Sequence, residues 1–215
     1  MTAPAAFQPI RRSALEPTHA AAGARWLSET QRWPVDYGDP AAEGATAGHA
    51  AGLAEIGPLA KLLVRGPDAA TAVRAAAPDA GIWPLGPDEV LLLFAAAEGA
   101  ADRILVALAG ADVSVVDVGS AWTVFRLAGP AAPALMTELS PVWVDPRTFA
   151  EGSIAQGSLV NVRAIIRRHD AAIGPGYTIL VARDEAAYAW SAIVDLGRDH
   201  GLRVVGPAAV TRANR

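Results

Sequence analysis

Twice along this chain an apolar strand pattern runs straight into Gly-Pro and then into an alanine-rich helix. The two copies are LVRGPDAATAV at 63–73 and RLAGPAAPALM at 126–136. Gly66 and Gly129 permit a turn that a Cβ would obstruct, and Pro67 and Pro130 suit the first helical position, where a missing N–H costs nothing. Each copy predicts strand, turn, helix. After the first come a short strand at 81–85, a buried strand at 90–94, a helix over about 98–109 stopped by Gly110, and a strand at 113–118. After the second come strands at 159–167 and 177–182, a helix over about 184–200 stopped by Gly201, and a short strand at 202–205.

Both halves thus read strand-helix-strand-strand-helix-strand. That order is the split βαβ or ferredoxin-like pattern, in which two helices cover one face of a four-stranded antiparallel sheet. The predicted fold class is α+β, with two ferredoxin-like units in tandem. The first unit is assigned to 56–119 and the second to 120–206. Residues 1–55 are expected to pack outside the repeat as a helical extension, with helices around 18–30 and 41–53, and 207–215 to form a tail.

With 52% hydrophobic and 19% charged residues the chain can fill two such cores, and its net charge is only −4. The longest apolar run, VLLLFAAA at 90–97, has eight residues, whereas a membrane-crossing helix needs about 20. The N-terminus, MTAPAAFQPIRR, places its arginines after a weak apolar stretch, the reverse of a secretory signal, so a cytoplasmic location is expected. Cysteine is absent, which removes disulfides, thiolate metal sites and a cysteine nucleophile. Lys61 is the only lysine, so Schiff-base chemistry has no other place in the chain. The densest basic cluster, Arg163, Arg167 and Arg168, is expected to be a solvated strand edge rather than a nucleic-acid surface. His19, His49, His169 and His200 lie far apart with no ligand spacing, so no metal site is expected. No GxG fragment has the strand, G-x-G-x-x-G and helix order of a dinucleotide site.

Several stretches carry a family resemblance. Trp33-Pro34, Tyr37-Gly38 and Glu43 resemble the W-x-x-P-x-x-Y…E opening of the glycine cleavage T-protein, an aminomethyltransferase. GLAEIGPLAKLLVRGPDA is similar to its G-L-x-D-x-S…K-x-x-V-x-G-x-D-A stretch. Later stretches, WPLGPDEVLLL, VVDVGSAWTVFRLAGPAAPALM and SPVWVDPRTFAEGSIAQGSLVNVRAIIRR, are more similar to the gamma subunit of heterotetrameric sarcosine oxidase. The resemblance covers about residues 26–206, mostly packing positions. It implies the folate-binding fold and one of two functions. One is a gamma-type subunit whose alpha and beta partners hold the flavins, the NAD and the folate. The other is a small tetrahydrofolate-dependent one-carbon transferase.

The resemblance also nominates site residues. Asp79 is the one carboxylate left where the T-protein has G-G-x-x-D-D, and its nine-residue spacing to Asp88 is compatible with a catalytic acid or base. Its other reading is a loop aspartate that caps a turn. Thr178 follows Tyr177 where the family has glutamate as the pterin anchor, and a hydroxyl is a poorer acceptor than a carboxylate. Trp33, Tyr37, Glu43, Glu55, Tyr177 and Thr178 are the folate-pocket candidates, although aromatics beside Pro34 more often cement a loop to the core and Tyr177 suits packing at a strand start better than stacking on a ligand. Glu55 stands at the T-protein's aspartate position and Gly57 at its serine. These changes imply that this chain alone holds no cofactor firmly and binds tetrahydrofolate weakly at most. Trp143, Tyr188 and Trp190 are candidate anchors for partner chains, or else core residues.

Overall fold

The computed structural model describes residues 10–211, so residues 1–9 of the targeting reading and 212–215 of the expected tail lie outside the described residues. Short extended pieces open the chain: β1 (Arg11–Arg12), β2 (Arg25–Trp26), β3 (Gln31–Arg32) and β4 (Pro34–Asp36), with helix α1 (Glu16–Ala21) between the first two. Helix α2 (Pro40–His49) follows. Its start is dictated locally, because Pro40 enters the first turn and the Asp39 carboxylate accepts from the N–H groups of Ala41 at 3.1 Å and Ala42 at 3.0 Å.

The helix expected to reach residue 53 ends at His49, and Ala51–Glu55 is strand β5, buried at all five positions. Alanine favours helix by propensity, but a fully buried site between two strands overrides that preference. The helix expected at 18–30 is likewise confined to α1.

The first unit comprises β6 (Leu59–Arg65), α3 (Ala69–Ala76), β7 (Gly81–Gly86), β8 (Glu89–Ala95), α4 (Ala100–Leu108) and β9 (Ser114–Asp117). Its sheet order is β7-β8-β6-β9 with every pair antiparallel, which is the ferredoxin-like order. The second comprises β10 (Trp122–Ala128), α5 (Ala132–Leu139), β11 (Ile154–Leu159), β12 (Val162–Arg168), β13 (Gly176–Ala182), α6 (Ala186–Gly197), a 3₁₀ turn at Arg198–His200 and β14 (Leu202–Val204). Its six-stranded order is β11-β12-β13-β10-β5-β14. Two strands are added to the expected four. β11 extends the edge, and β5 enters between β10 and β14, antiparallel to the first and parallel to the second. The N-terminal segment therefore supplies a core strand of the second sheet instead of packing wholly outside it.

The repeated turns match in detail. Ala69 N–H donates to Gly66 carbonyl and Ala132 N–H to Gly129 carbonyl, each at 3.1 Å. Pro67 and Pro130 sit inside these turns, and the helices begin two residues further on at Ala69 and Ala132.

Strand alternation sends side chains to two faces. Leu62 and Val64 pack under α3 and α4 with Val73, Ile104 and Leu108. Phe125, Leu127, Ile179 and Val181 pack under α5 and α6. The opposite faces meet each other, with Trp83, Leu91 and Leu93 against Val124, Ile165 and Leu180. Trp190 belongs to the helix-covered core at 2% exposure, edge-on to Phe125 at 5.3 Å, so it is a core residue and not an interface anchor. Helix α7 (Pro207–Val210) falls in the segment expected to be a tail, yet it docks: Val210 is buried and its carbonyl accepts from Arg126 Nε at 3.1 Å. The arginine cluster is also mostly inward. Arg167 lies 5.6 Å over the Trp83 ring, and Arg168 pairs with Asp170 at 2.6 Å and donates to the carbonyls of Pro146 and Phe149. Of the three only Arg163 is exposed, since the long arginine stems of Arg167 and Arg168 cover apolar surface.

Candidate functional site

A cleft of about 910 Å³ opens where the N-terminal segment, the first unit and the start of the second converge. Trp33, Ile56, Pro58, Leu59 and Trp122 give it apolar walls, and Glu55, Lys61, Asp117 and Arg183 are among its charges, with Arg11, Arg12, Glu98 and Asp102. Trp33 seats directly on Gly57, where a Cβ would come within 2.3 Å of the indole Nε1.

Behind one wall runs a buried polar chain. The Tyr37 hydroxyl meets His19 Nδ1 at 2.8 Å, His19 Nε2 meets Glu55 Oε2 at 2.9 Å, and Ser13 Oγ donates to the same oxygen at 2.5 Å. His19 is 1% and Glu55 2% exposed. Glu55 ends β5 opposite Phe125, which directs it to the α6 side, where His19 also stands edge-on to Trp190 at 5.1 Å. An ionised carboxylate only accepts, so Nε2 donates, and in the neutral ring Nδ1 accepts the tyrosine proton. Burial and the neighbouring Glu55 and Glu43 charges hold the Tyr37 hydroxyl well above its ordinary pKa, so it stays a donor.

Lys61 lies on the cleft floor at 5% exposure. Its ammonium donates to Gly119 carbonyl at 3.0 Å and Leu59 carbonyl at 3.3 Å. Burial brings its pKa down to about 8, with Glu55 and Asp117 opposing the shift and Arg183 adding to it. The unfolded chain, with the ordinary value of 10.5, therefore binds the proton more tightly than the folded one. Stability should rise as pH increases from about 8 to about 10, and Lys61→Met should remove that rise. Urea midpoints at pH 7, 8, 9 and 10 measure it, and a flat wild-type profile would contradict the burial argument.

The structure brings some sequence candidates together and separates others. Trp33 and Glu55 line the cleft, and Tyr37 is linked to it through His19. Glu43 is a clamp, accepting from Tyr37 N–H at 2.7 Å and Gly206 N–H at 2.6 Å. Asp79 lies on the exposed turn after α3 and does not line the cleft. Tyr177 is fully buried in the α5–α6 core with its hydroxyl donating to Val144 carbonyl at 2.9 Å. The Thr178 hydroxyl accepts from Arg126 Nη1 at 3.1 Å. Neither faces the cleft. Trp143 is 67% and Tyr188 55% exposed. Ser13, His19, Lys61, Trp122 and Arg183 were not nominated as pocket residues from the sequence. Lys61 left a signal: it alternates with Leu59 and Leu63, so a charge had to lie on an apolar strand face.

Among the described residues no group of three or more histidine and acidic side chains is placed to hold a metal, and no helix is long and apolar enough to cross a membrane.

The family model of the GCVT N-terminal domain matches residues 76–214. The chain belongs to that family. Among curated GCVT-related proteins, it is 32% identical over 126 residues to the sarcosine oxidase subunit gamma of an Arthrobacter species, across 57% of this chain and 58% of that one. It is 25% identical over 222 residues to the aminomethyltransferase of Streptomyces coelicolor, across 90% of this chain and 59% of the relative. The chain thus spans just under three-fifths of each. Two solved structures share the fold. A chain of the heterotetrameric sarcosine oxidase from Corynebacterium sp. U-96 superposes with a TM-score of 0.66 at 21% identity, covering 89% of this chain and 97% of that one. The glycine cleavage aminomethyltransferase T from Bartonella henselae gives 0.71 at 20%, covering 93% and 60%.

Proposed function

We propose that this chain is a gamma-type subunit of a heteromeric, sarcosine-oxidase-like complex, an assembly that demethylates an amine and passes the one-carbon unit to tetrahydrofolate. The observation that carries this reading is the degree of the likeness: 32% and 34% identity to two sarcosine oxidase gamma subunits, against 25% to an aminomethyltransferase.

The site chemistry supports it. The residues present do not fit a tightly held pterin, since the Thr178 hydroxyl is engaged by Arg126 and Asp79 stands outside the cleft. Each lost charge-assisted contact is worth about 1.5–3 kcal/mol, so two losses lower affinity by roughly two to four orders of magnitude. Flavin, NAD and the working folate site would then lie on alpha- and beta-type partners. Trp143 and Tyr188, together with the half-exposed Leu196, are the surface we assign to those partners.

Co-expression with alpha- and beta-type chains should yield a stable complex, weakened by Trp143→Ala and Tyr188→Ala. Calorimetric titration of this chain alone with tetrahydrofolate should show nothing tighter than high micromolar. Micromolar binding, with Asp79→Asn abolishing one-carbon transfer while sparing binding, would replace this reading with the transferase.

A further inference from the structure

We propose that the cleft over Lys61 binds a small monocarboxylic acid with an apolar body, its carboxylate held between the Lys61 ammonium and the Arg183 guanidinium. This goes beyond the subunit reading and does not depend on it.

An ammonium carries three donors. Lys61 uses two, on the carbonyls of Gly119 and Leu59, and among the described residues no ion pair joins it to a carboxylate. Arg183 likewise makes no ion pair there, and its hydrogen bond goes to Arg12 carbonyl at 2.9 Å. Both side chains line the cleft, and the arginine charge disfavours the protonated lysine. Buried charge is ordinarily paired in contact, whereas the Glu55 and Asp117 charges that favour the protonated lysine make no ion pair with it and the Arg183 charge opposes it. A bound anion relieves both costs at once.

The neighbouring carboxylates are already engaged. Glu55, from β5, accepts from Ser13 and His19, and Asp117, from β9, accepts from Gly119 N–H at 2.7 Å. What remains to be satisfied is the outward side of the lysine and arginine pair, in a cleft whose other walls are Trp33, Trp122, Pro58 and Leu59. Those walls select an apolar body. Arg11 and Arg12, with Glu98 and Asp102, also line the cleft and leave its charge balanced, so a monoanion is favoured over phosphate or a dicarboxylate.

Because Lys61 is the only lysine, the full chain labelled with ¹³C-lysine reports this site through one side-chain resonance. Titrated with benzoate, Lys61 should become harder to deprotonate by about one pH unit, as an opposite charge favours the charged form. Calorimetry should show one site, and Lys61→Met should abolish it. Arg183 is exposed, so Arg183→Gln should fold normally, make the free-state lysine slightly harder to deprotonate as a repelling charge is lost, and weaken benzoate roughly 10- to 100-fold. A lysine titration unmoved by saturating benzoate would overturn the site. Phosphate moving it as far as benzoate would overturn the assigned ligand class, and unchanged affinity in Arg183→Gln would overturn the role given to the arginine.

Discussion

The Glu55→Ala variant should melt on the order of 10 °C below the parent protein. Its carboxylate is the acceptor for two buried donors, the Ser13 hydroxyl and His19 Nε2, at 2.5 and 2.9 Å. Each donor left buried without a partner costs about 1–3 kcal/mol. Together the loss is about 2–6 kcal/mol, and in a chain of this size each kilocalorie lowers the melting temperature by roughly 2–4 °C. The effect should spread beyond residue 55, because His19 also orients Tyr37 and packs on Trp190. Glu55→Gln keeps one oxygen that can accept from both donors but loses the charge, so it should recover about half of the lost stability. Scanning calorimetry of the two variants decides the matter. If Glu55→Ala melts within 2 °C of the parent, the polar chain contributes nothing measurable and Glu55 belongs to the cleft alone.

The first unit was readable because its information is local. An apolar strand, a Gly-Pro turn and an alanine-rich helix lie side by side, and the 81–85, 90–94 and 113–118 strands fall where β7, β8 and β9 stand. The second unit was harder to read because its additions depend on distant partners. AGLAE looks like the end of an alanine-rich helix until β10 and β14 close around it, and IAQGSL is a half-exposed edge whose polar residues hide the alternation. The same distinction divides the site. Trp33 and Glu55 were found because they sit in contiguous motifs. Ser13, His19, Lys61 and Arg183 come together from both ends of the chain, and no periodicity records that meeting. Asp79 shows the converse, since a carboxylate in the expected order along the chain lies on a turn outside the cleft.

Replacing the turn glycines should test the repeat and its asymmetry together. Gly129 has a φ of +132°, and an added Cβ would come within 2.6 Å of Ala50 carbonyl oxygen and 2.7 Å of Ala47 carbonyl oxygen. Gly66 has a φ of +147°, and its Cβ would meet Asp112 carbonyl oxygen at 2.3 Å. Backbone strain of about 1–3 kcal/mol adds to a packing cost of about 1–3 kcal/mol, so each alanine variant should lose about 2–6 kcal/mol. Gly23 is the control, since its φ is +78° but nothing lies within 4 Å of an added Cβ. It carries the strain alone. The two turns differ in what they hold. The Gly129 turn seats on the junction of α2 and β5, where Ala131 N–H donates to Ala50 carbonyl at 2.8 Å. Gly129→Ala should therefore also speed amide exchange in β5 and β14, whereas Gly66→Ala should loosen β9 and leave the second sheet protected. Equal losses in all three variants would mean that close approach of backbone plays no part. Exchange confined to the first unit in both turn variants would mean that β5 is not held through Gly129.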